Sequence, residues 1–351
     1  MNMITSTPQK PLAITMGDAA GIGPEIIAKA YREAPALMQG CIVFGDVGTM
    51  RQAAAQLRAP GEAAVPTAVL AAPADWGMVP ARCIPVWQVA QPLGAVPLGQ
   101  VSAAAGRFAG MCVLQAADAA LRGDVAAMVT APLHKEALHA AGHPFDAYPG
   151  HTEMLQAAAA RYLGQPDLPV RMMLANTELR TVLVSIHVSL RRALDAVTYD
   201  NVLQTLRITH EALSRVLGRA PHIAVAGLNP HAGEGGLFGT EEGDVIIPAM
   251  HTARTQGCWL SGPLPPDTVF MRARESAHQP GAFDVVVAMY HDQGLIPVKY
   301  LGVSEGVNVT LGLPFVRTSP DHGTAFDIAG SGRASPASLL SAIRMARQLA
   351  N

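Results

Sequence analysis

Three histidines each follow a strongly apolar, strand-like run and begin a polar, glycine-rich turn. They are His187 in VLVSIHVSLRR, His231 in VAGLNPHAGEGG and His291 in VVVAMYHDQGL. They are too far apart in the chain for one helix or hairpin to present all of them. If the strands of one sheet end side by side, the three turns meet at one rim, where α/β proteins gather their functional residues. Three imidazoles at that rim would form a ligand set for Zn²⁺ or another borderline divalent ion.

A second group of polar residues lies in the segment TAPLHKEALHAAGHPFDAYPGHTEML, residues 130–155. Its Gly-His-Thr-Glu string, residues 150–153, is typical of a turn that enters a helix. Thr152 is a candidate N-cap of that helix, and His151 would then lie at its mouth. The alternative is a solvated loop with capping residues, and the residues alone favour neither interpretation.

The C-terminal third of the chain is rich in polar residues that suit acid–base and anion chemistry. Asp292 follows His291 directly and could orient an imidazole or act in acid–base catalysis. Lys299 could meet a carboxylate or phosphate, or could be a surface lysine at a helix end. Asn308 and Arg317 bracket an apolar strand, and a guanidinium can fork two hydrogen bonds onto an anionic group. Each residue taken singly is more often structural, but their density favours a functional site.

Two glycine-rich turns have different interpretations. The string ITMGDAAGIGPEI, residues 14–26, runs from strand to glycine turn to helix but lacks the G-x-G-x-x-G spacing of a dinucleotide fingerprint. This spacing favours an ordinary tight β–α turn. The string GLNPHAGEGGLFGTEE, residues 227–242, is longer than a connector needs and ends in Thr240, a capping residue, with Glu241 and Glu242 predicted in a first helical turn. It is interpreted as a ligand-binding loop, although such loops can also be merely flexible.

Short strand-like runs alternate with longer helical patterns, which predicts a mainly parallel sheet covered by helices on both faces. The predicted strands are 12–16, 41–44, 126–130, 171–174, 181–186, 223–226, 285–289 and 307–311. The predicted helices are 24–33, 47–57, 102–121, 153–162, 199–216, 244–255 and 336–349. Residues 59–97 carry weak signals and are expected to form short strands at the edge of a domain.

Length and composition predict a well-buried protein of more than one domain. The chain has 351 residues, 50% of them apolar and only 15% charged, whereas about 25% charged is usual. Two α/β domains are the first expectation at this length. The low charged fraction suggests that an oligomer hides further apolar surface. The net charge of −2 gives no reason to expect binding to nucleic acid or to an anionic membrane.

The sequence predicts a cytoplasmic protein without a membrane segment. The first residues lack the basic and apolar regions of a secretion signal, and no apolar stretch reaches the roughly 18 residues of a membrane span. The cysteines are scattered without a CxxC pair, so free buried thiols are expected rather than disulfides or a thiolate metal site. They are Cys41, Cys83, Cys112 and Cys258.

Taken together, many of these strings resemble the 4-hydroxythreonine-4-phosphate dehydrogenase family over roughly residues 10–350. The resemblance rests on ITMGDAAGIGPEI, PGHTE, the His187 turn, GLNPHAGEGG, GPLPPDT, MYHDQG, GVNVTLGLPFVRTS and DHGTAFDIAG. It implies an isopropylmalate-dehydrogenase-like fold with two α/β domains and a metal site in the cleft between them. The first domain is expected to comprise residues 1–133 with 285–351, and the central domain residues 134–284, which contribute to dimerisation.

The resemblance also implies an activity and assigns residues to it. Enzymes of the family use NAD to oxidise a secondary alcohol, and the resulting β-keto acid then loses CO₂. The active site is shared between the subunits of a homodimer and contains one divalent ion, which could be zinc, magnesium, cobalt or manganese. The metal ligands match His187, His231 and His291. The substrate contacts match His151, Thr152, Lys299, Asn308 and Arg317.

The remaining catalytic assignments stay open at the level of sequence. Asp292, or Asp267 in GPLPPDT, is a candidate for proton handling or for orienting a metal ligand, and Lys299 is a further catalytic candidate. No residue is assigned to the cofactor, which is NAD or NADP. Two departures from the family pattern stand out. Ala19 replaces the usual proline of the Gly-Asp-Pro-Ala-Gly turn, and the stretch 144–149 is longer than in biosynthetic members.

The substrate is expected to be 4-phosphohydroxythreonine, used in pyridoxal-phosphate synthesis. D-threonate or D-erythronate 4-phosphate, oxidised to dihydroxyacetone phosphate, is the alternative within the family. A non-catalytic, metal-dependent protein that binds phosphate or sugar acids would use similar residues. A metallohydrolase is a third possibility, since three histidines with an open position also suit water activation, and it would release product without NAD.

Overall fold

The computed structural model describes residues 10–275, 280–302 and 305–350 and divides the chain into two compact units. The terminal unit comprises the described residues up to 168 together with 313–350, and so carries both ends of the described chain. The central unit comprises the described residues between 169 and 312.

The terminal unit is a parallel sheet with helices. Its strands are β1 Leu12–Thr15, β2 Cys41–Gly45, β3 Thr67–Val69, β4 Ile84–Gln88, β5 Ala127–Thr130 and, numbered in chain order, β12 Val316–Pro320. Its helices are α1 Gly23–Glu33, α2 Pro35–Met38, α3 Val47–Gln56, α4 Ala103–Leu121, α5 Lys135–Ala140, α6 His151–Leu163 and α12 Ala337–Ala350. The strand order is β3-β4-β2-β1-β5-β12, and every pairing is parallel.

The central unit contains a mixed sheet. Its strands are β6 Arg171–Ala175, β7 Arg180–Leu183, β8 His222–Ala226, β9 Trp259–Leu264, β10 Val285–Ala288 and β11 Val307–Leu311. Its helices are α7 Leu190–Asp195, α8 Tyr199–Leu217, α9 Ile247–Thr255, α10 Val269–Ala273 and α11 His291–Leu301. The strand order is β11-β6-β7-β10-β8-β9, and β6 runs antiparallel to both of its neighbours.

The predicted parallel sheet is confirmed apart from β6. Strands β6 and β7 are joined by a short turn, and two strands so closely connected can pair only in antiparallel fashion. Strands β1 and β10, in the middle of their sheets, are buried at every residue, as expected for strands covered on both faces. The weak segment 59–97 contains β3 and β4, which lie at the sheet edge as expected.

The boundaries of the units differ from the predicted ones by two helices at the first junction, α5 and α6, and by three elements at the second, β10, α11 and β11. Helices α5 and α6 pack against α4 and therefore stay with the terminal unit. Strand β10 pairs with β7 and β8, and β11 pairs with β6, which keeps both in the central unit. The hydrogen-bonded partners of these elements, which a linear reading of the sequence does not reveal, set the division of the chain.

Several elements were not predicted from the sequence. They are strands β9 and β12 and helices α2, α5, α7, α10 and α11. Strand β9 contains Gly262 and Pro263, and α11 contains Gly294 and Pro297, so both carry residues that usually interrupt such elements.

The expected free thiols are present, and three of the four are buried. These three are Cys41, Cys112 and Cys258. Cys83 is only half-buried, contrary to expectation, because it precedes β4 near the sheet edge. Across the described residues, no helix combines the length and hydrophobicity that a bilayer crossing requires.

Candidate active site

The three histidine turns lie at one edge of the central sheet. Strands β7, β10, β8 and β9 are parallel neighbours in that order, so their carboxyl ends share an edge. His187 follows β7, His291 begins α11 after β10, and His231 follows β8. Asp267, which is exposed, follows β9 in the turn before α10. The strand order therefore brings these four turns to the edge at which function was expected.

Two of the three histidines form a pair. The ring centroids of His187 and His291 lie 5.6 Å apart, with the planes tilted by 46°. Two imidazoles that bind one tetrahedral ion have centroids roughly 5–6 Å apart, given a metal–nitrogen distance of about 2.1 Å. The pair therefore has the spacing that a shared divalent ion requires.

Asp292 orients one ring of this pair. Its Oδ1 lies 2.6 Å from Nδ1 of His291, so the opposite nitrogen, Nε2, is left to bind a ligand. A carboxylate on the second ring nitrogen fixes the tautomer of a metal-binding histidine and increases its basicity. Of the two predicted roles for Asp292, the geometry favours the orienting one.

His231 lies apart from this pair in the contacts of one chain. Its exposed ring contacts Phe238, with a centroid distance of 6.0 Å. Within the described part of a single chain, no three His, Cys, Asp or Glu side chains are arranged to hold a metal ion. One copy thus supplies a histidine pair and, separately, a third histidine on an exposed loop.

The loop that carries His231 has an unusual backbone. His231, Ala232 and Glu234 have φ values of 54°, 54° and 42°, and Gly233 and Gly235 between and after them are also left-handed. A left-handed conformation costs a non-glycine residue about 1–2 kcal/mol. Other contacts must therefore compensate for this strain.

Glu242 provides those contacts from within the loop. Its Oε1 accepts backbone hydrogen bonds from Leu228 (2.7 Å) and Asn229 (2.8 Å), and its Oε2 accepts one from the Asn229 side chain (2.9 Å). Burial acts to raise the pKa of Glu242, but these hydrogen bonds outweigh it and lower the pKa below its ordinary value. The sequence predicted Glu242 in a first helical turn, where it does begin a π-helical turn, but gave no sign that its side chain reaches back under the loop.

Gln293 connects the ends of two strands. Its Oε1 accepts a hydrogen bond from the backbone of Met289 (2.7 Å), just after β10, and its Nε2 donates one to the carbonyl of Gly227 (2.8 Å), just after β8. Sequence analysis missed this residue because a glutamine in the first turn of a helix carries no signal of a distant partner.

The remaining predicted residues of the central unit lie away from the His187 turn within one chain. Lys299 is in the last turn of α11, about 12 Å along the helix from His291 at 1.5 Å per residue. Asn308, in β11, pairs with Leu174, which in turn pairs with Thr181 near the start of β7. Asn308 and the His187 turn therefore lie at opposite ends of their strands.

The terminal unit holds a buried cation. Arg317, in β12, is only 3% exposed, and its Nε and Nη2 atoms donate to the hydroxyl of Thr130 at 3.2 and 2.7 Å. Burial lowers the pKa of Arg317 to about 10, with the Glu153 carboxylate acting in the opposite direction. The guanidinium therefore stays charged at neutral pH and can attract an anion.

His151 lies beside this cation as an uncharged ring. Burial, followed by the positive charges of Arg317 and Lys135, lowers the pKa of His151 well below its ordinary value, against a hydrogen bond to the backbone of Ala131. Its Nε2 is enclosed and has no hydrogen-bond partner among the described residues. As a neutral ring, His151 can offer this enclosed Nε2 to a hydrogen-bonding group of a ligand.

The helix that begins at His151 has no side-chain cap. Gly150, in an extended conformation, is the N-cap, and no side chain hydrogen bonds to this end of α6. The prediction that Thr152 caps the helix is therefore wrong: Thr152 is the second helical residue. The preceding glycine allows the chain to enter the helix without a cap, which leaves the first backbone N–H groups of α6 available to a ligand.

Two residues of this region were missed from the sequence. Asp18 is fully buried, and its Oδ1 accepts a hydrogen bond from Ala20 (2.8 Å), while Oδ2 is enclosed without a partner in the described chain. Burial raises the pKa of Asp18, and the Ala20 hydrogen bond and His134 oppose the rise. His134 stacks on Phe326 at 4.5 Å. A polar residue directly after a buried strand, as in ITMGD, is the signal that could have identified Asp18.

The turn between β1 and α1 is tight, as its spacing predicted. Gly17 has φ of 74°, and a Cβ atom there would lie 2.4 Å from the carbonyl oxygen of Pro132. Only glycine fits this position without displacing the chain. The neighbouring Ala19, which replaces a proline in the family pattern, is buried in the same turn.

The half-buried ring of His151, whose Nε2 is enclosed, makes stability depend on pH. The folded protein keeps this ring neutral, whereas the unfolded chain protonates it below about pH 6.5. The unfolded state then binds more protons, so the free energy of unfolding falls as the pH drops below that value. In His151→Gln this part of the slope should be lost, up to about 1.4 kcal/mol per pH unit. Urea unfolding between about pH 7.5 and about pH 5 measures the slope, and equal slopes in both proteins would contradict the assignment.

Comparison with known proteins identifies the family. A sequence profile described as "Pyridoxal phosphate biosynthetic protein PdxA" matches residues 38–346. A 4-hydroxythreonine-4-phosphate dehydrogenase of Beijerinckia indica is 49% identical over 97% of this chain and 95% of its own length. A D-threonate 4-phosphate dehydrogenase of Salmonella typhimurium is 46% identical over 97% and 99%.

The fold leads to the same family. A solved structure of 4-hydroxythreonine-4-phosphate dehydrogenase from Klebsiella pneumoniae superposes with a TM-score of 0.84 at 43% identity, covering 98% of this chain and all of that one. The mixed α/β architecture is thus that of the solved PdxA structures, and the resemblance read from the sequence is confirmed. The chain belongs to the PdxA family of pyridoxal phosphate biosynthetic proteins.

Proposed function

We propose that the chain is an NAD-dependent dehydrogenase that uses a divalent ion to oxidise and decarboxylate a 4-phosphorylated four-carbon hydroxy acid. The observation that carries the proposal is the His187–His291 pair, with a centroid separation of 5.6 Å and one ring oriented by Asp292. The preferred substrate is 4-phosphohydroxythreonine, and D-threonate or D-erythronate 4-phosphate is the alternative. Relatives named for hydroxythreonine phosphate and for threonate phosphate are similarly close in identity.

The residues present fit a divalent ion. Imidazole nitrogens suit zinc and cobalt, and two of them already have the spacing of ligands on one ion. A divalent ion held there would act as a Lewis acid, lowering the pKa of the substrate hydroxyl and stabilising the negative charge that develops as CO₂ leaves. Asp292 keeps His291 in its ligand orientation, and Asp267, exposed at the same edge, is the better candidate of the two for accepting a proton.

A second copy of the chain would complete the site. One chain presents two histidines together and a third on an exposed loop. Exposed apolar side chains flank both turns: Val188, Leu190 and Leu194 follow His187, and Leu237 and Phe238 follow His231. Apolar groups exposed in this way mark a surface that another molecule covers. In a two-fold dimer, His231 of each copy would reach the His187–His291 pair of the other.

The terminal unit supplies the contacts for an anionic end of the substrate. Arg317 is buried and charged, and its guanidinium can donate two hydrogen bonds to an anionic group. The start of α6, which has no side-chain cap, adds backbone N–H groups. His151 offers a neutral acceptor, and Thr152 lies in the same helical turn. Lys299 and Asn308 are proposed to contact the other charged end.

The cofactor proposal rests on the glycine turn after β1. No side chain caps the N-terminus of α1, and a small cavity beside it is lined by Gly21, Thr49, Gln52 and Gly330, among others. A helix N-terminus without a cap and a close glycine backbone suit the pyrophosphate of a dinucleotide. NAD would accept the hydride from the substrate carbon.

Turnover with NAD separates this proposal from the other classes of function. We expect NAD reduction and CO₂ release with the phosphorylated acids, with the highest kcat/KM for 4-phosphohydroxythreonine. Removing the phosphate should cost about 2–4 kcal/mol of transition-state binding, or roughly 30-fold to 1000-fold in kcat/KM, because a charge-assisted contact in a buried site is lost. Steady-state kinetics with each acid and its dephosphorylated form measures this. Product release without NAD reduction would indicate a hydrolase, and binding without turnover would indicate a binding protein.

Mixing inactive variants tests whether two copies build one site. His187→Ala and His231→Ala should each be inactive alone. If His231 serves the other copy, a mixed dimer of these variants contains one intact site, and random refolding should restore up to about a quarter of the activity. The measurement is NAD reduction after the two proteins are unfolded, mixed and refolded together.

The matched control is the pair His187→Ala and His291→Ala. Both ligands come from the same copy, so every site of their mixed dimer lacks one of them and no activity should return. Failure of the first pair to recover activity, or equal recovery in both pairs, would contradict a site shared in this way.

A further inference from the structure

The loop that presents His231 is built around the carboxylate of Glu242. A Cβ atom on Gly227 would lie 3.1 Å from Glu242 Oε1, and one on Gly233 would lie 2.7 Å from Oε2. The backbone thus wraps the carboxylate at both ends of the left-handed turn and leaves no room for a side chain at Gly233. Glu242 itself is only 4% exposed.

The base of this loop is also fixed to the strand that leads to His291. Gln293 bonds Met289 with one end of its amide and Gly227 with the other. Gly227 is the residue at which the chain leaves β8 for the His231 loop, and Met289 is the residue at which it leaves β10 for His291. One side chain therefore bridges the starts of the two turns.

Most of the His231 turn is exposed: His231 and Glu234 to Phe238 all lie at the surface. Among the described residues of one chain, the ring of His231 is not part of a three-residue metal group. A ligand that must reach an ion without help from neighbouring ligands depends on the rigidity of its own loop. Besides backbone hydrogen bonds within the loop, Glu242 below the turn and Gln293 at its base provide side-chain contacts that restrain it.

We propose that Glu242 and Gln293 are positioning residues for the divalent ion, which hold the His231 turn in its binding geometry without touching the ion. This inference rests on the proposed function of the histidine turns as metal ligands. The hydrogen bonds of Glu242 and Gln293 go to the backbone of Leu228, Asn229, Met289 and Gly227 and to the side chain of Asn229, so these bonds act on His231 through the loop. Residues that orient metal ligands in this way change metal affinity by roughly 10-fold to 100-fold when they are replaced.

Cobalt(II) binding to the full-length, metal-stripped chain tests the proposal. Glu242→Gln replaces the oxygen that accepts from the Asn229 side chain by an amide nitrogen. Gln293→Met keeps the length of the side chain but removes its hydrogen bonds to Met289 and Gly227. Each should raise the Kd for cobalt about 10-fold to 100-fold and alter its visible absorption spectrum. Glu234→Gln is the matched control, because it removes one negative charge from the same loop without removing a contact to the loop backbone, and it should bind cobalt as the unsubstituted chain does.

A measurement on the metal-free protein guards against simple unfolding. Amide hydrogen exchange at residues 227–236 should accelerate in Glu242→Gln and Gln293→Met, while the strands β7 and β10 keep their protection. Unchanged cobalt affinity in both variants, unchanged exchange in the loop, or an equal loss of affinity in Glu234→Gln would overturn the inference. If the unsubstituted chain binds no cobalt, the proposed metal function itself fails, a result distinct from equal binding by all four proteins.

Discussion

The placement of β10 between β7 and β8 is the constraint on which the proposed metal site depends. Val286 pairs with Thr181 on one side and with Ala224 on the other. Because all three strands are parallel, their carboxyl ends meet, and the turns that follow them carry His187, His291 and His231. A shift of one residue would turn each strand's side chains to the opposite face, so the observed register of β10 with β7 and β8 sets which residues stand at the strand ends where these turns begin.

The electrostatics of the terminal unit follow from the cost of burying polar groups. Burial lowers the pKa values of Arg317 and His151 and raises that of Asp18, so each shift favours the neutral form of the group. Enclosed atoms of His151 and Asp18 have no partner among the described residues. Such atoms are costly unless something bonds to them. An anionic substrate with hydroxyl or ammonium groups would provide that compensation, which is why this region is the proposed anchor for the charged end of the substrate.

The sequence predicted the parts of the site that depend on local pattern. An apolar run followed by a polar turn identified the positions of His187, His231 and His291, and strand 307–311 was predicted with its observed bounds. Local pattern failed where local residues disagree with the tertiary structure, as in α11, which forms despite Gly294 and Pro297. The capping role of Thr152 was wrong because Gly150 takes that position. The contacts of Glu242 and Gln293 join residues that are distant in the chain, so no local signal could predict them, and the same holds for the pairing that places β10 and β11 in the central unit.

We propose that each divalent ion is bound by three histidines that two copies of the chain contribute. The most direct test is a crystal structure of the protein grown with cobalt(II), in which anomalous scattering at the cobalt edge locates the ion. We expect an ion bound by His187 and His291 of one copy and by His231 of the other, with a further position open to substrate. An ion at any other place, or one at His187 and His291 with no histidine from a second copy, would contradict it.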